Sequence, residues 1–354
     1  MSTMQNQKLR IGVLTGGGDC PGLNAVIRAV VRKAERVWGD QVIGFQNGWK
    51  GLLDDEWQPL DIEVLRGTLP RGGTIIGTSR IQPYMFDDGV ERVRATAERH
   101  KLDALVVIGG EGTLSVARQI HEEGFLAVVG VPKTIDNDIA ATEMTFGFQT
   151  AVQIAVDAID RLHSTAESHH RIMLVEVMGR HVGHIATWAG IAGGATMILV
   201  PEEPFDIDEV AKILQWRHET NRYASIVVVA EGAQPVPGTL DLPPVEVDEF
   251  GHKRLGGIAS VVASEIELRT GTETRVLVLG HIQRGGTPCA YDRVLCTRYG
   301  VAAIDAVHEG KKGQMVALKG DRIVCVPLED ATTELKYVAP KLLDTAKVFY
   351  PPAT

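Results

Sequence analysis

Seven consecutive residues stand out for chemistry: Pro132, Lys133, Thr134, Ile135, Asp136, Asn137 and Asp138. Two carboxylates at i and i+2 raise each other's proton affinity, while Lys133 or a metal lowers it. A carboxylate tuned this way can act as a base near neutral pH. The same residues also suit a solvated Asx-rich turn.

Two glycine clusters could receive an anion. Thr15-Gly16-Gly17-Gly18-Asp19 follows one apolar run, and Gly109-Gly110-Glu111-Gly112-Thr113 follows another. Glycines let backbone N–H groups approach phosphate oxygens, and a helix N-terminus beyond them favours negative charge. Neither cluster has the spacing of a dinucleotide fingerprint or a P-loop. Glu111 could hold Mg²⁺ through water, since that ion dehydrates reluctantly. Alone, either cluster could be a tight turn, with Glu111 capping the next helix. Two of them in one chain favour a phosphate donor.

Basic residues recur beside glycines. Arg80 ends Gly77-Thr78-Ser79-Arg80, Arg171 follows Ser168-His169-His170, and Arg180 follows Met178-Gly179. Arg275 opens an apolar run, and His281 and Arg284 lie within Leu279–Gly286. Guanidinium forks fit phosphate oxygens bidentately. Singly, each could be a surface ion-pair partner worth under ~1 kcal/mol. Glu231, between Ala230 and Gly232, could accept from sugar hydroxyls or cap a helix.

The elements that must position these groups alternate. Apolar runs at Ile11–Thr15, Ala104–Ile108, Ala127–Val131, Ile172–Val177, Met197–Val200, Ile226–Ala230 and Arg275–Leu279 read as strands. Leu23, Val26, Ile27, Val30, Val31 and Ala34 keep a helical period, and further helices are expected from about Thr113 and over Gln149–His163. The fold class is α/β, two lobes, each a mostly parallel sheet flanked by helices. Ligands of such sheets bind beyond the carboxyl ends of strands, where the glycines and charged residues fall. The Pro-, Gly- and acid-rich stretch 234–257 reads as an exposed insertion, with a hairpin as one form it could take.

Composition narrows the classes. The 354 residues are 44% hydrophobic and 23% charged, which fits two globular lobes. The formal charge of −9 disfavours nucleic acid and anionic membranes as partners. Four scattered cysteines, with no CxxC pair, fit a reducing cytoplasm rather than a disulfide framework. The first ten residues do not resemble a signal peptide, and no apolar run is long enough to span a bilayer.

Together and in this order, TGGGDCPGLNA, GTSR, GGEGT, PKTIDND, VEVMGR, AEG and LGHIQRGG resemble the bacterial 6-phosphofructokinase family, from Ile11 to about Gly313. The resemblance implies transfer of the γ-phosphoryl of ATP to the 1-hydroxyl of fructose 6-phosphate, with Mg²⁺ as cofactor. It implies a donor lobe of residues 1–147 plus about 283–333, and a sugar-phosphate lobe of 148–282 plus about 334–354. Gly17, Arg80, Ile81, Gly110, Glu111, Gly112, Thr113 and Lys133 would hold the donor, with Glu111 on the metal where many members carry Asp. Asp136 would be the base, Thr134 and Asp138 would position the hydroxyl, and Arg80 and Arg180 would stabilise the transferred group. Met178, Gly179 and Glu231 would line the sugar. His281 and Arg284 would bind the 6-phosphate, with Arg171 and Arg275 reaching in from a neighbouring subunit of a homotetramer in the cytoplasm.

Two positions set the donor. Gly112 resembles the ATP type, because glycine leaves room for an α-phosphate. Lys133 resembles the pyrophosphate type, where the ATP type usually has Gly. Exclusion at 112 is the stronger filter, so ATP is expected, with pyrophosphate the alternative. A catalytically inactive regulatory subunit is the remaining reading. Arg28 and Arg32 match the family's effector-site arginines, but His163 and the acidic Asp54–Glu56 do not, which implies an altered or lost effector site.

Overall fold

Ala104–Gly109, Ile172–Val177 and Ser225–Ala230 are buried at all six of their positions, as strands covered on both faces must be. The computed structural model describes residues 8–242 and 256–350. Two units are delimited, Met1–Thr150 with Arg284–Leu335 and Ala151–Gln283 with Lys336–Thr354.

The first unit begins β1 (Arg10–Thr15), α1 (Leu23–Lys33), β2 (Gln41–Phe45), α2 (Trp49–Asp54), β3 (Trp57–Leu60) and α3 (Gly89–Arg99). It continues with β4 (Ala104–Gly109), α4 (Glu111–Glu122), β5 (Ala127–Thr134) and β6 (Phe146–Gly147). Helix α5 (Phe148–His169) leads to the second unit. There follow β7 (Ile172–Val177), α6 (His184–Ala192), β8 (Met197–Leu199), α7 (Ile207–Glu219), β9 (Ser225–Ala230), α8 (Ile258–Thr270) and β10 (Thr274–Val278). The chain then supplies α9 (Ala290–His308), β11 (Gln314–Lys319), β12 (Arg322–Pro327) and α10 (Leu328–Thr332) to the first unit, and α11 (Pro340–Lys347) to the second.

In the first unit the strand order is β12-β11-β5-β4-β1-β2-β3, with β6 beside β5. Pairing is parallel except at β2–β3 and β11–β12. From β1 the chain passes to β2 on one side, and later to β4 on the other. That reversal makes β1/β4 a topological switch point, where open α/β sheets bind ligands. The core packs Leu14, Phe45, Trp49 and Leu105 between sheet and helices. In the second unit the order is β10-β7-β9-β8, all parallel, over a core including Leu174, Phe205 and Val227.

Several boundaries differ from the sequence reading. Strand β5 runs three residues past Val131, so Pro132, Lys133 and Thr134 belong to it. Helix α4 starts at Glu111, two residues early, and α5 extends to His169. Residues 234–242 carry turns but no helix or strand longer than a bridge, and 243–255, which hold most of the expected insertion, lie outside the described residues. No helix among the described residues is long and apolar enough to cross a membrane.

One buried carboxylate closes the first unit over a long sequence separation. Asp292 accepts from the Gly147 N–H at 3.1 Å, and from the N–H and hydroxyl of Thr150 at 2.8 and 2.5 Å. Burial pushes its pKa up, and these hydrogen bonds oppose that shift. Asp292→Ala strands those donors inside the protein. The expected loss is about 2–4 kcal/mol of stability, measured as a lower urea midpoint. A loss below about 1 kcal/mol would mean that water replaces the carboxylate.

Candidate active site

Three loops leave the carboxyl ends of adjacent strands. Thr15 of β1 is in register with Ile108 of β4, and Ile108 with Val131 of β5. The two glycine clusters and the Asp136 turn are therefore neighbours on one sheet edge. The Gly16 N–H donates to the Ile108 carbonyl at 3.0 Å. Thr113 fills the space between the clusters. A Cβ on Gly16 or Gly109 would lie 2.7 or 2.4 Å from its side chain, so the close approach requires glycine at both.

The loop bearing Arg80 is fastened to the first cluster. The Gly17 N–H donates to the Ser79 carbonyl at 3.0 Å, and the Thr78 hydroxyl donates to the Gly17 carbonyl at 2.6 Å. Ile81 packs against the core, which anchors the residue after Arg80. The first cluster does not run straight into a helix, since α1 begins only at Leu23. The second does: Gly110 is the N-cap of α4, and Glu111 is its first residue. The helix N-terminus that favours an anion thus belongs to the second cluster. The expected alternative, Glu111 as cap, does not hold, because Gly110 takes that position and no side-chain cap bond forms.

Gly112 behaves differently from Gly16 and Gly109. A Cβ there would meet only the Gln82 side-chain nitrogen, at 3.7 Å, and its backbone is not left-handed. Neither packing nor conformation demands glycine, so the open volume is free for a ligand.

Charge is concentrated around these loops. Glu111 lies at the surface, yet its pKa is raised, first by desolvation of its carboxylate and then by the Asp138 carboxylate. Lys133 is buried, and its Nζ donates to the Gly18 carbonyl at 2.5 Å. Burial pushes its pKa down, with the nearby Arg284 charge acting the same way and Cys20, Asp138 and Asp19 opposing. A phosphate beside Gly17 would give this ammonium a counter-charge, since a Cβ on Gly17 would lie 3.3 Å from Nζ. Arg284 also reaches this loop, donating to the Asp19 carbonyl at 3.3 Å.

The Asp136 turn is held by its own backbone. The Asp136 N–H donates to the Thr134 hydroxyl at 3.1 Å. Thr145 bonds the Thr134 carbonyl through its hydroxyl at 2.7 Å and the Asn137 side chain through its N–H at 2.9 Å. Asn137 has φ 53°, a left-handed position that Asn tolerates. Asp136 and Asp138 therefore flank a residue fixed in the left-handed region by Thr145. Thr145 was not singled out in the sequence; a lone Thr eleven residues on carries no local signal.

In the second unit, Met178, Gly179 and Arg180 follow β7, Glu231 follows β9, and His281 follows β10. These strands are neighbours, with Val177 opposite Ala230 and Glu176 opposite Val278. The Glu231 N–H donates to the Val177 carbonyl at 2.9 Å, and the Gly232 N–H to the Gly179 carbonyl at 3.0 Å. A Cβ on Gly232 would lie 2.0 Å from the Arg180 carbonyl oxygen, so only glycine lets the two turns cross. Among the described residues, no helix begins directly after Glu231. Arg171 and Arg275 sit at the opposite, N-terminal ends of β7 and β10. Glu273 holds both: Arg171 Nε donates to it at 2.6 Å, and Arg275 pairs with its other oxygen.

The family model described as phosphofructokinase matches residues 10–307. A curated relative from Amycolatopsis methanolica, named pyrophosphate–fructose 6-phosphate 1-phosphotransferase, is 56% identical over 342 residues, covering 97% of this chain and 100% of the relative. One from Streptomyces coelicolor, named ATP-dependent 6-phosphofructokinase 3, is 55% identical over 330 residues, covering 93% and 96%. The crystal structure of Pichia pastoris phosphofructokinase in the T-state superposes with a TM-score of 0.81 at 33% identity. It covers 92% of this chain, which spans 35% of that longer one.

Proposed function

Because this chain belongs to the phosphofructokinase family, we propose that it transfers the γ-phosphoryl group of ATP to the 1-hydroxyl of fructose 6-phosphate. The observation that carries the reading is the strand register that sets both glycine clusters beside the Asp136 turn. Phosphoryl transfer needs alignment and charge neutralisation more than covalent chemistry. Asp136 takes the proton of the 1-hydroxyl as its oxygen attacks the γ-phosphorus, and the bond to ADP breaks. Thr134 and Asp138 hold the hydroxyl and balance charge. Arg80 and Arg180 stabilise the equatorial oxygens. Gly17, Gly110, Thr113 and the N-terminus of α4 cradle the donor phosphates. Met178, Gly179, Glu231, His281 and Arg284 bind the sugar phosphate. Arg171 and Arg275, set by Glu273, serve the site of a neighbouring subunit in a homotetramer, in the cytoplasm.

The residues present fit Mg²⁺. No group of three metal-binding side chains occurs among the described residues, and Mg²⁺ in such enzymes is held by one or two carboxylates plus substrate phosphates. Glu111, with Asp138 adding negative charge beside it, supplies that. Bound there, the ion would neutralise the β- and γ-phosphate oxygens. The raised pKa of Glu111 means it takes up a proton at higher pH than an ordinary carboxylate. The apparent KM for Mg²⁺ should therefore climb as pH falls, beginning above the usual carboxylate range. Glu111→Gln should raise that KM and flatten its pH dependence; an unchanged profile would remove Glu111 from the metal.

The donor is read as ATP from the open space at Gly112. Lys133 favours pyrophosphate as the second reading, since a buried ammonium beside Gly17 suits a compact, highly charged donor. The named relatives divide between the two donors at almost equal identity. Turnover of fructose 6-phosphate and Mg²⁺ with ATP, and separately with pyrophosphate, decides the matter. Activity with pyrophosphate alone would overturn ATP, and none with either would favour a regulatory subunit.

A further inference from the structure

Outside the residues already assigned, one carboxylate joins three segments of the second unit. Glu202, in the turn after β8, accepts from the Gly183 N–H with both oxygens, at 3.0 and 2.9 Å. Its Oε1 also accepts from the Val338 N–H, at 3.0 Å. Gly183 is the N-cap of α6 and lies three residues beyond Arg180. A glycine offers no side chain to cap its own helix, so the carboxylate from the turn after β8 fastens this turn. Beside it, His184 Nε2 bonds the Lys336 carbonyl at 2.8 Å. Burial drives the pKa of this imidazole down to about 4, so it is neutral and donates at physiological pH.

The turn carrying Arg180 is thus gripped at both ends. On one side the Arg180 carbonyl crosses Gly232 with no room for a Cβ. On the other, Glu202 holds the Gly183 N–H. Between these points lie Arg180 and His181 and Val182, too few residues to relax independently.

We infer that Glu202 is a positioning residue for Arg180, fixing the turn through the Gly183 N–H so that the guanidinium meets the transferred phosphoryl group. This rests on the role proposed for Arg180. Glu202 acts through the backbone N–H groups of Gly183 and Val338 rather than on a substrate. Its loss should lower kcat through misplacement of Arg180 and leave the KM for the phosphate donor near its starting value.

The test is a double-mutant cycle on the full-length enzyme with Glu202→Gln, Glu202→Ala, Arg180→Ala and the combination of the last two. Glu202→Gln retains one acceptor oxygen, able to serve Gly183 and Val338 together, but turns an N–H donor toward the Gly183 N–H. It should cost about tenfold in kcat, and Glu202→Ala about 10–100-fold, the scale of a positional error of about 1 Å. In the Arg180→Ala background, Glu202→Ala should cost less than about threefold, because the residue it positions is gone. Losses that multiply, or a Glu202→Ala effect seen mainly in the donor KM, would overturn the assignment. If Glu202→Ala does not fold, the same cycle run with Glu202→Gln decides it. Full activity in Arg180→Ala would instead remove Arg180 from the reaction, a failure of the functional reading visible without any change at Glu202.

Discussion

Asp136→Asn is expected to lower turnover by about 10²–10⁴-fold while the KM for fructose 6-phosphate changes little. Asparagine matches the shape of aspartate and keeps a side-chain oxygen, so it preserves the turn. That turn is built from backbone and neighbours, through the Asp136 N–H on Thr134 and the Asn137 side chain under Thr145. What asparagine lacks is the capacity to accept a proton. The loss must therefore appear in kcat, and single-turnover measurements should place it in the chemical step. The pH dependence of kcat should also lose its acid limb. Turnover near that of the unaltered enzyme would mean that another group takes the proton.

The second large effect concerns the donor. Gly112→Asp should leave the fold intact, because the new Cβ meets nothing closer than 3.7 Å. An acid in the first turn of α4 also complements the helix dipole. With ATP, however, the carboxylate would face the α-phosphate. Two unit charges about 4 Å apart at an effective dielectric near 20 repel by about 4 kcal/mol, or roughly 10³-fold in kcat/KM. Pyrophosphate has no group there, so its use should be retained or increase. Gly112→Ala, which adds bulk without charge, separates the two causes. ATP turnover within about tenfold of the original in Gly112→Asp would show that the α-phosphate does not approach this position.

The site was legible where its residues are close in sequence, and obscure where they are not. GGEGT and PKTIDND announce themselves because one loop supplies several groups, and the apolar runs before them mark the strands they follow. Their adjacency follows from β1, β4 and β5 being neighbours, which alternation suggests but does not order. The boundary at Val131 failed because Pro132 and Lys133 look like strand breakers. In the structure Pro132 sits opposite Gly109 at the strand's end, and Lys133 pairs on with Phe146 of β6. Strands β2, β3, β6, β11 and β12 escape the sequence reading: β3 and β12 are mostly exposed or part-buried and do not read as buried runs, β6 is two residues long, and β2 and β11 are buried runs of four residues that the reading passes over. Asp292, Glu202 and Glu273 carried no signal at all. The partners of Asp292 and Glu202 are brought to them only by the completed fold, and Glu273, though two residues from Arg275, meets Arg171 only there.

Asp292 and the return of the chain also bear on how the protein is made. Strand β5 borders β4 on one side and β11 on the other, but β11 starts at Gln314, long after β5 ends at Thr134. The carboxylate that fastens Gly147 and Thr150 likewise comes late. At a synthesis rate of about 5–20 residues per second, the edge of β5 waits roughly 10–40 s for its neighbour. During that interval a nascent chain presents an apolar, unpaired strand edge beyond the ribosome. The enzyme's yield in a cell should then depend on whatever shelters that edge, such as a chaperone acting before the last quarter of the chain emerges.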